Sequence, residues 1–416
     1  MTMTTPHIVT LGCRLNAFES EVIRTEANAA GLTDAVIVNT CAVTGEAVRQ
    51  ARQTIRRLRR DHPGRPLMVT GCAAQLDADA FAAMPEVDRV LGNAEKLDRR
   101  HFADTEKTVK VSDIMGVRET AGHLLAGFEG RTRAFVEVQQ GCDHRCTFCI
   151  VPFARGPNRS VSPDRIVERV RALVENGYAE VVLTGVDVCS YGADEPGMPG
   201  LGALARRILD DVPELPRLRL TTLDPAAIDD DVFRLLSEEP RLMAHLHLSL
   251  QAADDSVLKR MRRRHSRADA AAVVSRARRL RPETVFGADL IAGFPTETEG
   301  QFATTLSAVG DLGLVYLHVF PYSPRPGTPA ARMPQVPGPV RKQRAARLRA
   351  AGHAARGSYF ASRVGCETDV LVEDGRIGRG SDYAPVGLDR DVSPGAIIRT
   401  RVTGADAEQL FGTPAG

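Results

Sequence analysis

Tryptophan is absent from the 416 residues, and aromatic side chains make up only 5% of them. That scarcity selects no function. Long apolar runs are missing too: none approaches the ~20 residues that cross a bilayer, which argues against a membrane-spanning helix. The opening MTMTTPHIVTLG has neither the charged start nor the apolar segment of a signal peptide. Excess charge is also lacking. With 54 Lys and Arg against 52 Asp and Glu the net charge is +2, so any surface that attracts nucleic acid must be local. A soluble cytoplasmic protein is therefore expected. The 43% hydrophobic content suffices for a sizeable core, and the length suggests about two to three domains. Eight cysteines in such a compartment read as metal ligands and free thiols, because disulfides are rare there.

The chain is organised around QQGCDHRCTFCIVPFARG, from Gln139 to Gly156. Cys142, Cys146 and Cys149 are separated by three and then two intervening residues, with Phe148 just before the last. Thiolates select zinc or iron–sulfur clusters. Disulfides fit poorly, since near neighbours in this pattern leave one cysteine over. A structural zinc ion would need a fourth ligand. His144 is the local candidate, and it lies inside the loop, where sharing one tetrahedron with all three thiolates is hard. A cubane cluster on three cysteines instead leaves one iron open to a small molecule. The stretch resembles the CxxxCxΦC motif of the radical S-adenosylmethionine (SAM) enzymes, Φ being aromatic. In that family the open iron of a 4Fe-4S cluster chelates SAM. An electron from the cluster then splits the sulfonium to give a 5′-deoxyadenosyl radical.

In the amino-terminal third, three apolar runs each end in a cysteine: HIVTLG before Cys13, AVIVNT before Cys41 and LMVTG before Cys72. Helical patterns lie between them, from about Ala17 to Ala30 and from Gly45 to Arg60. Alternating strands and helices imply a parallel sheet, and ligands of such sheets gather beyond the carboxyl ends of the strands. The three cysteines should therefore meet as a second cluster site; three separate buried thiols are the alternative. TLGCRLNAFESE, VNTCAVTGEAVRQARQ and VTGCAAQ look like the amino-terminal domain of the methylthiotransferases, a branch of the radical SAM enzymes. The likeness continues through nearly the whole chain, and TLGC-x-x-N-x-x-E-x-E with NTCAVT matches best the branch that modifies threonylcarbamoyladenosine in tRNA. It implies two 4Fe-4S clusters, with Cys13, Cys41 and Cys72 holding the one that handles the inserted sulfur.

From Arg133 a strand–helix rhythm repeats six times: AFVEVQQ, EVVLTGVD, RLRLTTL, HLHLSLQ, VFGADLIAGF and YLHVFPYS. Eight units close a full barrel; six suggest an open (β/α)6 partial barrel, as in the radical SAM family. By the same resemblance the strand ends surround SAM, which assigns Phe148, Gly185, Asp187, Thr222, Ser249, Gln251, Asp289, Gly293 and Pro295 to cofactor binding. The chain departs from the family at Thr221 and Thr222 (commonly serines), at AADD from Ala252 to Asp255, and at GFPTET in place of GFPGET. His245 and His247 alternate on one strand and read as packed side chains; Cys189 and Cys366 match no ligand position. A proline-rich stretch from Phe320 to Val340 precedes a basic helix, RKQRAARLRAAGHAAR. The last segment carries ETDVLVED, RIGRG, APVGL and AIIRTRVTGA as short strands, and resembles a TRAM domain, a small RNA-binding β-barrel.

The expected α/β architecture is thus an amino-terminal parallel-sheet domain (1–110), a radical SAM core (128–355) and a TRAM-like barrel (356–416). KTVKVSDIMG is a predicted strand and ETAGHLLAGFEG a connector. The basic runs at Arg49–His62 and Lys259–Arg264 fit either solvated faces or phosphate contacts. The resemblance implies methylthiolation at C2 of N6-threonylcarbamoyladenosine at tRNA position 37, with the anticodon stem-loop as partner, an unidentified electron donor and sulfur source, no membrane, and a monomer. One SAM would methylate sulfur at the amino-terminal cluster, while another supplies the radical. Isopentenyladenosine or a ribosomal-protein aspartate are alternative substrates, and a non-catalytic iron–sulfur redox sensor that binds RNA is the alternative outside this class.

Overall fold

Strands of β-branched residues alternating with amphipathic helices build the first unit as expected. The computed structural model describes residues 5–103, 108–118, 127–128 and 130–415. Strands β1 (His7–Thr10), β2 (Val36–Thr40), β3 (Leu67–Gly71), β4 (Arg89–Leu91) and β5 (Val109–Lys110) form a parallel sheet in sequential order. β2 and β3 are buried along their whole length, as strands covered on both faces must be. Helix α1 (Arg14–Ala29) follows β1, α2 (Gly45–Asp61) follows β2, and the short α3 (Cys72–Leu76) follows β3. α2 starts where the Thr44 side chain accepts from the Ala47 N–H, with Glu46 in its first turn and Arg59 and Arg60 in its last. KTVKVSDIMG is mostly not a strand. Only Val109–Lys110 pairs, because Asp113 accepts from the Met115 N–H and caps a 3-10 turn over Ile114–Gly116. The expected connector at 119–130 lies largely outside the described residues.

α1 belongs to two cores. Ile23 and Ala27 pack on the sheet with Ile37, Met68 and Leu91. Leu15, Phe18 and Val22, one helical stripe away, pack against the central unit beside Phe135 and Val136.

That central unit is an open parallel barrel. Strands β6 (Arg133–Glu137), β7 (Glu180–Thr184) and β8 (Arg217–Leu220) pair in order; β9 (Thr222–Leu223), β10 (His245–Gln251), β11 (Val285–Ala292) and β12 (Leu314–Pro321) continue it. RLRLTTL is split at Thr221, so its first half pairs with β7 and its second with β10. β6 and β12 each have one strand neighbour among the described residues, which leaves the barrel open between them. Leucines and valines of alternate positions face the surrounding helices. The short helix α4 (Val151–Arg155) closes the cysteine loop after β6.

The basic helix α5 (Gly338–Ser362) runs from the central core, where Arg344 pairs with Glu297, into the last unit, where Phe360 is fully buried. There β13 (Glu367–Asp374), β14 (Ile377–Gly380), β15 (Pro385–Leu388), β16 (Ile397–Ala405) and β17 (Leu410–Pro414) form a closed barrel. β17 is not legible in the sequence: LFGTP carries a glycine and a proline, yet it pairs with both β15 and β16 and is what closes the barrel. The small barrel caps the amino-terminal mouth of the large one. Arg217 donates from there to the carbonyls of Asp369 at 2.7 Å and Arg379 at 3.2 Å.

Phe360→Ala should cost about 3–5 kcal/mol. Hydrogen exchange should show strands β13–β17 losing protection before the central barrel; equal loss in both would mean that the two unfold as one body.

Candidate active site

Three features shape the loop after β6. Gly141 has φ +69°, and a Cβ there would lie 1.8 Å from the Pro157 carbonyl oxygen, so only glycine lets the loop fold back on itself. The Cys142 N–H then donates to the Gly156 carbonyl at 3.1 Å and the Cys149 N–H to that of Cys146 at 3.0 Å. Phe148 packs edge-on to Phe294, 6.5 Å between centroids, beside Ile291 and Tyr322. His144, the one zinc-type neighbour, has Nε2 2.9 Å from Asp187 Oδ2. All three cysteines are free. Burial pushes the Cys142 and Cys149 thiols up to about 12, so without a cationic centre they are neutral. A metal centre deprotonates such thiols outright. Three soft donors with no fourth in the loop fit a cluster that keeps one iron open.

The amino-terminal cysteines converge by the route expected for an α/β sheet. Cys13 caps α1, Cys41 follows β2 directly, and Cys72 opens α3. Gly71, φ +95°, precedes Cys72, and a Cβ on it would sit 2.4 Å from the backbone N and O of Thr40. The β2 and β3 ends therefore approach more closely than any side chain allows. Burial lifts the Cys41 thiol to about 11, with Cys72 and Cys13 adding to the rise. These three are also free, and the same donor-set argument applies to them.

Between the two trios lies Arg155, at the end of α4 and 2% exposed. Its Nε is 3.2 Å from Cys72 Sγ, and its Nη2 donates to Asn16 at 2.6 Å and Glu19 at 2.9 Å. Nη1 also reaches Gln140 at 3.1 Å. Glu19 is shared with Lys96 at 2.7 Å, and Lys96 reaches Asn93 at 2.7 Å. Burial alone would raise the Glu19 carboxyl, but the two cations hold it at about 2. The neighbouring Glu137 goes the other way, to about 7, through burial and the charge of Glu19.

The cofactor candidates divide. Asp187 accepts from Ser190 Oγ at 2.7 Å and lies 4.0 Å from Cys142 Sγ; Gly185 packs on Gln139, whose side chain orients the turn. Thr222 sits in register with His247 on the inner barrel face. Ser249 accepts from Arg263 at 3.0 Å, and Gln251 follows at a bulge with φ +67°. Asp289 lies mid-strand on β11, 3.1 Å from His247 and 3.0 Å from His318. Gly293, φ +73°, packs against Arg341 of α5, and Pro295 is buried beside it. Cys189 accepts from the Asp224 N–H at 3.3 Å.

Several residues at the site carry no signal of their own in the sequence. Arg263, nearly buried within the run Arg262–Arg264, reaches Cys146 Sγ at 3.7 Å, Ser249 and Asp224. Burial would lift the Asp224 carboxyl, yet His265 and Arg263 hold it far below the carboxylate range. A charge run conceals which of its members turns inward. Most arginines of the basic helix α2 are paired, Arg49–Glu46, Arg52–Asp77, Arg56–Glu86 and Arg59–Asp88, while Arg57 and Arg60 stay exposed. At the barrel floor, Tyr383 of the small barrel holds φ +72°, with Arg14, Arg133, Arg219 and Arg379 within 5.7 Å of its ring. Its hydroxyl accepts from Arg14 at 2.9 Å. Burial opposes ionisation, but Arg14, Arg133 and Arg379 outweigh it and bring the phenol down to about 8.

An open six-stranded barrel with this cysteine loop after its first strand defines a radical SAM enzyme. The Radical SAM superfamily matches residues 136–309, and the Uncharacterized protein family UPF0004 matches residues 5–92. The chain is 47% identical over 399 residues to the threonylcarbamoyladenosine tRNA methylthiotransferase MtaB of Rickettsia prowazekii (strain Madrid E), covering 96% of this chain and 95% of that one. It is 35% identical to a tRNA-2-methylthio-N(6)-dimethylallyladenosine synthase of Thermus thermophilus, covering 82% and 75%. Among solved structures, the radical SAM methyltransferase TsrM of Kitasatospora setae, with cobalamin and a 4Fe-4S cluster bound, shares the fold at a TM-score of 0.55 and 15% identity, over 80% of this chain and 77% of that one. The chain belongs to the radical SAM methylthiotransferases, in the MtaB-like branch. Its cofactors are 4Fe-4S clusters and SAM. No helix among the described residues is long and apolar enough to cross a membrane.

Arg155→Met should lose about 3–5 kcal/mol of stability, because it strips one of two cations from a buried carboxylate. Arg155→Lys, which keeps the charge but not the fork, should recover only part; an unchanged denaturation midpoint for the methionine variant would contradict this. With no tryptophan to mask it, one tyrosine should ionise near pH 8 by absorbance at 295 nm, and Tyr383→Phe should remove that step. Because the folded phenol titrates below its unfolded value of about 10, the stability it adds is full above pH ~10 and fades as pH falls through about 8.

Proposed function

We propose that this chain methylthiolates C2 of N6-threonylcarbamoyladenosine at position 37 of tRNA, giving 2-methylthio-N6-threonylcarbamoyladenosine. The observation that carries the reading is the pairing of two three-cysteine sites across one domain junction, in a chain 47% identical over almost its full length to a methylthiotransferase of that name. The C2–H bond is not acidic and bears no leaving group, so acid–base catalysis or a cysteine nucleophile leaves it untouched. SAM on a 4Fe-4S cluster supplies, when bound, the one-electron chemistry that such a bond requires.

Cys142, Cys146 and Cys149 would hold that cluster, and Cys13, Cys41 and Cys72 the second one, from which sulfur is delivered. Asp187 and Arg263, each within about hydrogen-bonding range of a cysteine sulfur in the first loop, bracket it with one negative and one positive group, suited to the amino and carboxylate ends of SAM. Ser249 is held by Arg263 on the same face. Phe148 shields the loop from water by packing on Phe294. The open side between β6 and β12 leaves room for a base taken out of its stack, as chemistry on a nucleobase requires. The small barrel and the basic face of α5 suit the anticodon stem-loop. An electron donor and a sulfur source complete the reaction, and the cytoplasm is where tRNA is modified.

Mass spectrometry of tRNA nucleosides from a deletion strain should show the 2-methylthio nucleoside gone and its threonylcarbamoyl precursor accumulated. Wild type should restore it, and Cys142→Ala should not. If the isopentenyl product vanished instead, the substrate assignment would be wrong. Anaerobically reconstituted protein should hold about eight irons, and Cys72→Ala about four; four in the wild type would remove the second cluster from the scheme.

A further inference from the structure

We propose that the lumen of the open barrel, below the cysteine loop and above Tyr383, is a pocket for the carboxylate of the threonylcarbamoyl group, with Arg14 and His318 as its binding residues. The proposal rests on the functional reading above and names what in that substrate is recognised.

The inner face of the barrel is polar where a core would be apolar. Ser249, whose partner Arg263 touches the cysteine loop, shares its face of β10 with His247 and His245. His247 is in register with Gly287, where a Cβ would lie 2.4 Å from the imidazole Nδ1; the missing side chain lets the ring reach across to Asp289. Asp289 is in register with His318 on β12, the edge strand of the open side. One nitrogen of His318, Nδ1, is held by Asp289 at 3.0 Å; the side chain is 58% exposed, and Nε2 has no partner among the described residues. Asp289 thus fixes the ring and leaves one nitrogen for a ligand.

Arg14 supplies the charge. It leads α1, next to Cys13, and its one polar partner among the described residues is the Tyr383 hydroxyl. The lumen's carboxylates are already engaged: Glu180 by Arg219 and Arg133, Glu373 by Arg133 and Arg379, Asp289 by the two histidines. Among the described residues Arg14 makes no ion pair. Ring contacts place these groups in one space: the Tyr383 ring, whose hydroxyl holds Arg14, stacks on His245 at 4.9 Å between centroids, and His247, next but one on the strand, lies 4.5 Å from His318. His245 is buried with neither ring nitrogen hydrogen-bonded, and burial, together with Arg219, His247, Arg14 and His318, depresses its pKa strongly.

A half-buried guanidinium with no counter-ion among the described residues, in the same lumen as a ring nitrogen free to bond, suits a carboxylate, which arginine grips through two parallel bonds. Threonylcarbamoyladenosine carries that group on its N6 substituent. An isopentenyl group does not, and it would leave Arg14 desolvated and unpaired, the situation in which polar sites discriminate most strongly. The position of Arg14 beside Cys13 would also tie capture of the substituent to the amino-terminal cysteine site.

The test uses the full-length reconstituted enzyme and three synthetic anticodon stem-loops: one with threonylcarbamoyladenosine, one with its carboxylate capped as the methyl ester, one with isopentenyladenosine. Binding is read by fluorescence anisotropy, and turnover by mass spectrometry. The ester should bind the wild type at least about tenfold more weakly than the acid. Arg14→Met and His318→Phe should each weaken the acid by a similar factor, raise KM more than they lower kcat, and erase the preference for acid over ester; Arg14→Lys should regain part of it. Iron content and melting curves check that the variants fold, and the ester comparison needs no variant. Equal binding and turnover of acid and ester by the wild type would overturn the pocket while leaving the function intact. A wild type that methylthiolates only the isopentenyl loop would overturn the functional reading, and the pocket with it.

Discussion

A single buried ion pair sets the geometry on which the rest depends. Arg155 comes from the radical SAM loop, Glu19 from the helix that follows Cys13, and Cys72 from the end of the third strand of another sheet, yet the Arg155 guanidinium touches both of the others. Buried charges of this kind are costly unless every hydrogen bond is made. Here Asn16, Gln140, Lys96 and Asn93 complete the set. The network leaves little freedom for one domain to slide on the other. Two sites that act together on one substrate need such a constraint, because a displacement of even an ångström is expensive in a reaction that depends on orientation.

Helix α1 reinforces the same junction by hydrophobic means. Its two stripes pack on two cores, so the amino-terminal sheet and the barrel share one element instead of meeting at a loose interface. A helix with one apolar face would have served a single domain. At the far end of the barrel, Tyr383 plays the corresponding part for the small domain. It accepts an unfavourable left-handed backbone and sits among four guanidinium groups, which gather about it from all three units. Arg14, at the start of α1, is the link between these two junctions.

Much of this is readable in advance, where the signal is local. Short apolar runs each closed by a cysteine mark β1–β3, and the six strand–helix units mark the open barrel. The errors also have local causes. Asp113 caps a turn inside a stretch that resembles a strand, and Gly412 and Pro414 disguise β17, whose residues hold their place only by pairing with two strands at once. Among the site candidates, Asp187 and Ser249 lie against the cysteine loop or its arginine, whereas Asp289 is held between two histidines, contacts that strand position alone does not reveal.

By itself the sequence determined the chemistry available to this protein: two sets of three thiols, spaced or placed so that metal centres are their natural use, and a rhythm of elements that permits an open parallel barrel. Ligand type and period are properties of neighbouring residues, and they survive without a fold. Which of many arginines would be buried was decided only by the tertiary structure. Arg155, Arg263 and Arg14 look like any other basic residue in the chain. Their roles come from partners tens to hundreds of positions away, Glu19, Asp224 and Tyr383, and a charge acquires its strength only when packing removes the water around it.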